Sequence, residues 1–334
     1  MNKERLLNII RNFKNQKIIV FGDLMLDKYL WTVVDRISPE APVQVAKVEN
    51  ETFALGGAAN VANNLASLGV SVDLVGLIGN DADGVLLRQM LKERHIAFSG
   101  LVGNQRSTVS KTRVFCGNYQ LLRIDKEDVG EIEKKVEKLF FNYFKNNLSG
   151  VGAIIFSDYA KHLISPKFYE SIIKLAARNK IKTFADPTPS TFYKFKNVYL
   201  IKPNRKEAEH IVGQKISDNF SNLKEICGKL NEKFNANVVI TLGKDGMAVL
   251  DGSKFFRLKT DAKEVYDVSG AGDTTIAVLT ASIASGASLE EAAVISNICA
   301  GAVVAKLGTA ICSFQELLFK IEQIPENLTA RIKR

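Results

Sequence analysis

The sequence predicts an α/β fold: a mainly parallel sheet layered between helices, with a smaller sheet set apart from it. Two observations predict the main layer. Short β-branched runs that are apolar on both faces recur along the chain, and helical patterns fall between them, as in a parallel sheet covered by helices. A third observation predicts the small sheet. Residues 29–52 (YLWTVVDRISPEAPVQVAKVENET) and 107–124 (STVSKTRVFCGNYQLLRI) alternate polar with apolar residues, as strands with one wet face do.

The main strands are expected at 17–22 (KIIVFG), 72–79 (VDLVGLIG), 153–158 (AIIFSD), 182–186 (KTFAD), 198–204 (VYLIKPN) and 238–243 (VVITLG). Helices are expected at 58–68, 85–94, 132–145, 167–178, 205–212 and 222–234. The most apolar stretch, 274–308, is interrupted throughout by Ser, Asn, Gly and Thr, so it reads as a pair of buried helices and not as a membrane span. No repeat, low-complexity run or long linker divides the chain. The expectation is a single domain over 1–334 from which 29–52 and 107–124 project.

Composition excludes several classes. At 334 residues, 46% hydrophobic and 24% charged, the chain can bury a full core and is neither disordered nor fibrous. Cys116, Cys227, Cys299 and Cys312 include no C-x-x-C pair, and His95, His162 and His210 are dispersed. Buried thiols in a reducing compartment are expected, without a disulfide framework or zinc site. The N-terminal MNKERLLNIIRNFKNQ has charges among its apolar residues and no h-region, so no signal peptide is read and a cytoplasmic protein is expected. The net charge of +9 raises nucleic-acid binding, but basic residues alternate with acidic ones, as in KEDVGEIEKKVEK. A modest positive excess also suits anionic small substrates. Neither a nucleic-acid nor a membrane partner is expected.

Three motifs carry chemistry. Asp267-Val-Ser-Gly-Ala-Gly-Asp273-Thr-Thr leads into an apolar helix. A small-residue loop opening a helix aims backbone N–H groups at an anion, and the helix dipole reinforces them. An Asp inside that turn suggests a general base beside a phosphate cradle, as phosphoryl transfer to an alcohol needs. It also reads as an ordinary helix cap. Leu55-Gly56-Gly57-Ala58-Ala59-Asn60 pairs glycines, which allow close backbone approach, with an amide able to bond a sugar hydroxyl; tight strand–helix packing is the other reading. Lys202-Pro203-Asn204-Arg205-Lys206-Glu207 and Thr241-Leu242-Gly243-Lys244-Asp245-Gly246 lie at C-terminal ends of expected parallel strands, where open α/β sheets bind ligands. Asn204 and Glu207 could orient a hydrated Mg²⁺ from one helix face, or Asn204 could simply cap the helix. There is no G-x-x-x-x-G-K-[ST], and GAGDTT does not complete G-x-G-x-x-G, so a P-loop enzyme and a Rossmann dehydrogenase are disfavoured.

Together these segments resemble the ribokinase (PfkB-type) family of carbohydrate kinases, over about residues 17–312. GGAAN and DVSGAGD are similar to its two hallmark motifs, in the family's order; Val278 stands where a small residue is usual. The resemblance implies a three-layer α/β/α core and a small β-sheet lid, often a dimer contact, formed by 29–52 and 107–124. It implies Asp273 as catalytic base, with the N–H groups of Gly270, Ala271 and Gly272 as an anion hole. Asn204 and Glu207 match the motif that organises Mg²⁺ and phosphates, with Glu207 acting on the metal through water. Thr241, Gly243 and Gly246 would border the ATP phosphates and ribose, and Asn297 and Gly301 the adenine. Asp27, Gly56, Gly57 and Asn60 match sugar ligands. Mg²⁺ with ATP is implied, and a monovalent cation and a homodimer through the lid are further expectations.

Finer segments are similar to bacterial heptose 7-phosphate 1-kinases: FGDLMLDKYLW, DRISPEAPVQV, SKTRV, QLLRID and SDYAK. This implies substrate contacts at Asp158 and Lys161, and a sugar phosphate met by Lys111, Arg113 and Arg123. After Asp186-Pro187 the chain has Thr188-Pro189-Ser190 where those kinases usually have Lys-Gly. Many such kinases are fused to a nucleotidyltransferase; no H-x-G-H motif is present here, so the kinase part alone is expected. The other readings are a kinase for fructose, ribose, a nucleoside or a sugar phosphate, and a catalytically silent binding regulator.

Overall fold

A computed structural model describes residues 2–260, 270–306, 310–324 and 332–333. Among these, a large sheet runs edge to edge as β5 (Ala97–Asn104), β4 (Ser71–Gly79), β1 (Lys17–Gly22), β9 (Ala153–Asp158), β11 (Lys182–Pro187), β12 (Leu200–Ile201), β13 (Asn237–Thr241), β14 (Met247–Asp251), β15 (Lys254–Leu258) and β16 (Ile332–Lys333). From β5 to β13 every pairing is parallel; β14 to β16 add antiparallel strands at one edge. The central strands are apolar on both faces because both are covered. Along β1, Ile18 and Val20 enter one core while Ile19 and Phe21 enter the other.

The first core is closed by α1 (Lys3–Arg11), α2 (Ala58–Ser67), α3 (Ala82–Glu93), α8 (Ala271–Ala284), α9 (Leu289–Val303) and α10 (Phe314–Glu322). On the other face lie α4 (Lys134–Asn147), α5 (Pro166–Arg178), α6 (Arg205–Val212) and α7 (Phe220–Phe234). There Phe21 meets Phe140, Phe144 and Phe168 with ring centroids 5.2–5.6 Å apart. The apolar stretch does form two buried helices, α8 and α9; residues 307–308 of it lie outside the described set. No helix among the described residues is long and apolar enough to cross a membrane. Cys227, Cys299 and Cys312 are buried free thiols and Cys116 is half-buried.

The two alternating segments pair into one separate four-stranded sheet, ordered β3 (Gln44–Gly57), β2 (Leu24–Ile37), β6 (Ser110–Cys116), β7 (Tyr119–Lys126). A short parallel pair, β8 (Gly130–Glu131) with β10 (His162–Leu163), stands apart from both sheets. Several boundaries differ from expectation. β2 begins at Leu24, directly after β1, so Asp27 belongs to the small sheet. β12 keeps only two of the seven residues expected at 198–204, because Pro203 has no N–H to donate and Asn204 already caps α6. α3 starts at Ala82, three residues before the expected 85, because the Asp81 carboxylate caps Gly84 N–H. α8 starts at Ala271, so Asp273 sits in its first turn.

Candidate active site

The C-terminal ends of the parallel strands converge on one cleft. Asp23 follows β1, Asp158 ends β9, Asp186 lies near the end of β11, Lys202 follows β12 and Thr241 ends β13. A cavity of about 820 Å³ opens there, lined by Asp186, Lys202, Glu207, Thr241 and Gly272, and on its far wall by α9. That volume fits a drug-sized or nucleotide ligand.

Gly270, in the left-handed conformation at φ 81°, is the N-cap of α8 and makes no side-chain cap. The first intrahelical bond is Thr274 N–H to Gly270 carbonyl, so the amides of Ala271, Gly272 and Asp273 precede the helix's own ladder. Lys202 Nζ points at this terminus: a Cβ on Gly272 would lie 3.4 Å from it. Backbone donors, helix dipole and an ammonium therefore face one point, an anion site by construction. Asp267 of the same motif lies outside the described residues.

Asp273 is buried beside that site. Its Oδ1 accepts the Tyr159 hydroxyl at 2.6 Å and its Oδ2 accepts Asn60 Nδ2 at 2.8 Å. Burial pushes its carboxyl up to about 6, against the lowering effect of those two hydrogen bonds. A carboxylate poised there is a proton acceptor near neutral pH. Asn60 is fully buried and reaches the cleft only through Asp273; its Oδ1 accepts Asn64 Nδ2 at 3.3 Å, and Asn64 Oδ1 in turn accepts the Thr274 hydroxyl at 2.8 Å. A helix–helix polar network between α2 and α8 thus fixes the Asp273 carboxylate.

Asn204 and Glu207 form a reciprocal capping box on α6: Glu207 N–H to Asn204 Oδ1 at 3.0 Å, Asn204 N–H to Glu207 Oε2 at 2.7 Å. Capping and the cleft coexist, because Glu207 also lines the cavity. Asp186 holds Lys202 at 2.9 Å. Burial pushes the carboxyls of Asp186 and Glu207 up, and the charge of Asp186 raises Glu207 further. Burial opposes the Lys202 charge, yet Asp186 and Glu207 keep its ammonium above the ordinary range. Two carboxylates against one lysine leave surplus negative charge, the donor set a hydrated divalent cation takes alongside phosphates. Among the described residues no group of three or more His, Cys, Asp or Glu forms an all-protein metal cage.

On the α9 wall, Asn297, Gly301 and Val304 recur at helical spacing, and Asn297 Nδ2 donates to Lys259 carbonyl at 2.7 Å. Gly243 and Gly246 frame the opposite rim at positive φ, 63° and 88°. Thr188 lines the cavity and its carbonyl accepts Thr191 N–H at 3.1 Å, so the Thr-Pro-Ser departure forms a short turn at the rim.

The small sheet joins the main body at the double glycine, where β3 runs directly into α2. A Cβ on Gly56 would lie 2.7 Å from Asp27 Oδ2, and one on Gly57 would lie 2.4 Å from Asp23 carbonyl. Gly57 also takes φ 57°. Backbone excludes a side chain at Gly57, and one at Gly56 would displace the Asp27 carboxylate. Asp27 and Lys111 are register partners, as are Lys111 and Asp125, and Arg113 and Arg123. All five side chains therefore share one face of the sheet. Arg113 Nη1 is 2.7 Å from Asp27 Oδ1, and Lys111 and Arg123 both reach Asp125, at 3.2 and 2.9 Å. Lys161 pairs instead with Glu127, and Asp158 with buried Lys194 at 3.2 Å. Asp158 still borders the cavity. Tyr159, Asp186 and Asp23 have no role read for them in the sequence, and Lys202 stands there only as the first residue of its motif. All four obey the strand-end rule that found their neighbours.

The family model for pfkB family carbohydrate kinases matches residues 15–316. The chain belongs to that family. It is an ATP-dependent sugar kinase by class. It is 41% identical over 314 residues to a bifunctional protein HldE of Sulfurimonas denitrificans, covering 93% of this chain and 65% of that protein. The chain thus spans less than two thirds of that relative's length. Phosphofructokinase-2 from Escherichia coli, solved with potassium, is similar in fold at a TM-score of 0.79 and 20% identity, covering 92% of this chain and 98% of that one. Arabidopsis thaliana ribokinase, solved with ribose and ATP, gives 0.74 at 18% identity, with 92% and 99% covered.

Proposed function

We propose that the chain transfers the γ-phosphoryl group of ATP to the anomeric hydroxyl of a heptose 7-phosphate, forming the 1,7-bisphosphate. The observation that carries the substrate choice is the face shared by Lys111, Arg113 and Arg123 beside Asp27. Against Asp27 and Asp125 these three cations leave one positive charge in excess, on the side of the small sheet that carries Asp27 to the double glycine. A neutral sugar offers such a cluster hydroxyl acceptors but no charge; a phosphate dianion takes charge-assisted bonds from it. The relatives named HldE and the sequence resemblance to heptose 7-phosphate kinases support the same choice.

In this reading the nucleotide fills the cavity, its adenine against Asn297 and Gly301 and its phosphates towards Gly243, Lys202 and the start of α8. Glu207 and Asp186 are the residues that would hold Mg²⁺, and the ion would supply neutralisation of phosphate charge there. Asp273 takes the proton of the acceptor hydroxyl as that oxygen bonds to the γ-phosphorus and the bond to ADP breaks. The amides of Ala271 and Gly272, with Lys202, bear the charge on the transferring group. The small sheet acts as a lid. Its other face exposes Val48, Phe53, Leu122 and Ile124, which we assign to contact with a second copy.

Arg113→Ala tests the substrate assignment. It should raise KM for the sugar phosphate by roughly tenfold or more and leave KM for ATP nearly unchanged. Equal turnover of free hexose and sugar phosphate, both indifferent to the substitution, would return the assignment to a neutral-sugar kinase.

A further inference from the structure

The turn after β9 is built more firmly than a connecting loop requires. Tyr159 N–H and Lys161 N–H both donate to Asp23 Oδ2, at 2.8 and 3.0 Å. Between them, Ala160 N–H donates to Asp158 Oδ1 at 2.8 Å. Asp23 and Asp158 are both buried, and Asp158 is itself pinned by Lys194 and by the Tyr169 hydroxyl at 3.3 Å. Ala160 adopts φ 59°, a left-handed conformation that a non-glycine residue takes only when its surroundings impose it. Three consecutive amides held by two buried carboxylates give one result: the Tyr159 side chain is aimed at Asp273.

The Tyr159 hydroxyl then donates to Asp273 Oδ1 at 2.6 Å, while Asn60 occupies Oδ2. Tyr159 also lines the nucleotide cavity, together with Asp186, Lys202 and Gly272. It is therefore an O–H group on the oxygen of Asp273 left open by Asn60, and on the side from which a phosphoryl group would arrive. Acceptor sugar and water are also O–H donors, and they compete for the same lone pairs.

We propose that Tyr159 is a positioning residue that stands in for the acceptor hydroxyl, capping Asp273 until a sugar displaces it and so denying the base to water. The inference rests on Asp273 being the base of the proposed transfer. Without the cap, water on Asp273 Oδ1 gives up its proton to the carboxylate, its oxygen bonds to the γ-phosphorus, and ADP leaves with inorganic phosphate as product. Burial and the charges of Asp273 and Asp186 push the Tyr159 hydroxyl's ionisation well up, so it remains a donor throughout the working range. The other groups acting on Asp273 are Asn60 from α2, Asp186 from β11 and Lys202 before α6. None of these is a neutral hydroxyl.

The test needs no acceptor: phosphate release from Mg·ATP in the absence of sugar, by wild type and by Tyr159→Phe. The Phe variant should hydrolyse ATP roughly tenfold faster or more, the scale of a lost hydrogen bond to a charged group. That gain should vanish when Asp273→Asn is added. Unchanged or slower hydrolysis in a folded Phe variant overturns the proposal and leaves Tyr159 a structural prop. Faster hydrolysis that survives Asp273→Asn overturns it as well, since the water would not then be using the base. Should Phe disturb the turn, Tyr159→Met removes the same hydroxyl and is read the same way. The base assignment is judged separately, by the sugar-dependent turnover of Asp273→Asn alone.

Discussion

Replacing Asp273 by Asn removes a charge that is buried in the folded chain and hydrated in the unfolded one. The unfolded carboxyl ionises at its ordinary 3.8 and the folded one at about 6. As pH rises between those values the unfolded state gives up its proton first, so the wild-type chain loses stability over that window. The full difference corresponds to about 3 kcal/mol, about half of it lost by pH 5 and all of it above about pH 7. Asn can keep both contacts: its oxygen accepts Asn60 Nδ2, and its amide donates to the Tyr159 hydroxyl, which reverses its role. The variant should therefore be more stable than wild type by about 1–3 kcal/mol at pH 8, with a smaller gap at pH 5. Its kcat should fall on the order of 10²–10⁴-fold. Urea denaturation followed by circular dichroism at both pH values, beside a coupled ADP-release assay, reads both effects. An Asn variant less stable than wild type at pH 8, or one retaining more than half of wild-type turnover, refutes the reasoning.

The remaining predictions concern the metal and the small sheet. Glu207→Gln keeps an oxygen for the Asn204 N–H, so α6 stays capped, but removes a carboxylate from the cleft. KM for Mg·ATP should rise by about tenfold and the Mg²⁺ requirement should shift upward, with KM for the sugar nearly constant. The reverse pattern, a damaged sugar site with normal nucleotide use, would remove Glu207 from the metal. Trp31 stacks on Phe115 with ring centroids 5.1 Å apart and donates to Thr52 Oγ1 at 3.1 Å, on the same sheet face as Arg113. As the chain's single tryptophan, it should change its emission on saturation with sugar phosphate. Emission that responds to dilution of the protein and not to acceptor would move the sugar off this face.

Much of the architecture was legible because buried parallel strands must be apolar on both faces and a one-sided sheet must alternate. KIIVFG and AIIFSD fall at β1 and β9, residue for residue. β5 escaped because AFSGLVGN, near the sheet's edge, carries two glycines and no β-branched run. The β14–β15 hairpin had a readable signal in Asp251-Gly252, with Gly252 at φ 57°, as tight hairpin turns require. α1 carries a readable signal of its own, because Leu6, Leu7, Ile9 and Ile10 mark a buried helical face. At the site, residue type and strand-end placement are legible in the sequence, and the direction in which a side chain points is not. Asn60 has the amide a sugar would use, yet its burial directs that amide to Asp273. Tyr159 lies within SDYAK with no role read for it there, and only the carboxylates of Asp23 and Asp158, 136 and 1 positions away in sequence, turn it towards Asp273.

In the proposed transfer the acceptor is a phosphorylated heptose and the anomeric oxygen is the nucleophile. ³¹P NMR of a reaction containing Mg·ATP and heptose 7-phosphate, run beside free hexoses and fructose phosphates, tests it most directly. A new anomeric phosphate signal is expected, with the 7-phosphate signal retained, and kcat/KM for heptose 7-phosphate well above that for every other sugar in the panel. Transfer to a free hexose or a fructose phosphate at equal or greater kcat/KM, or a heptose product phosphorylated elsewhere than the anomeric position, would contradict it.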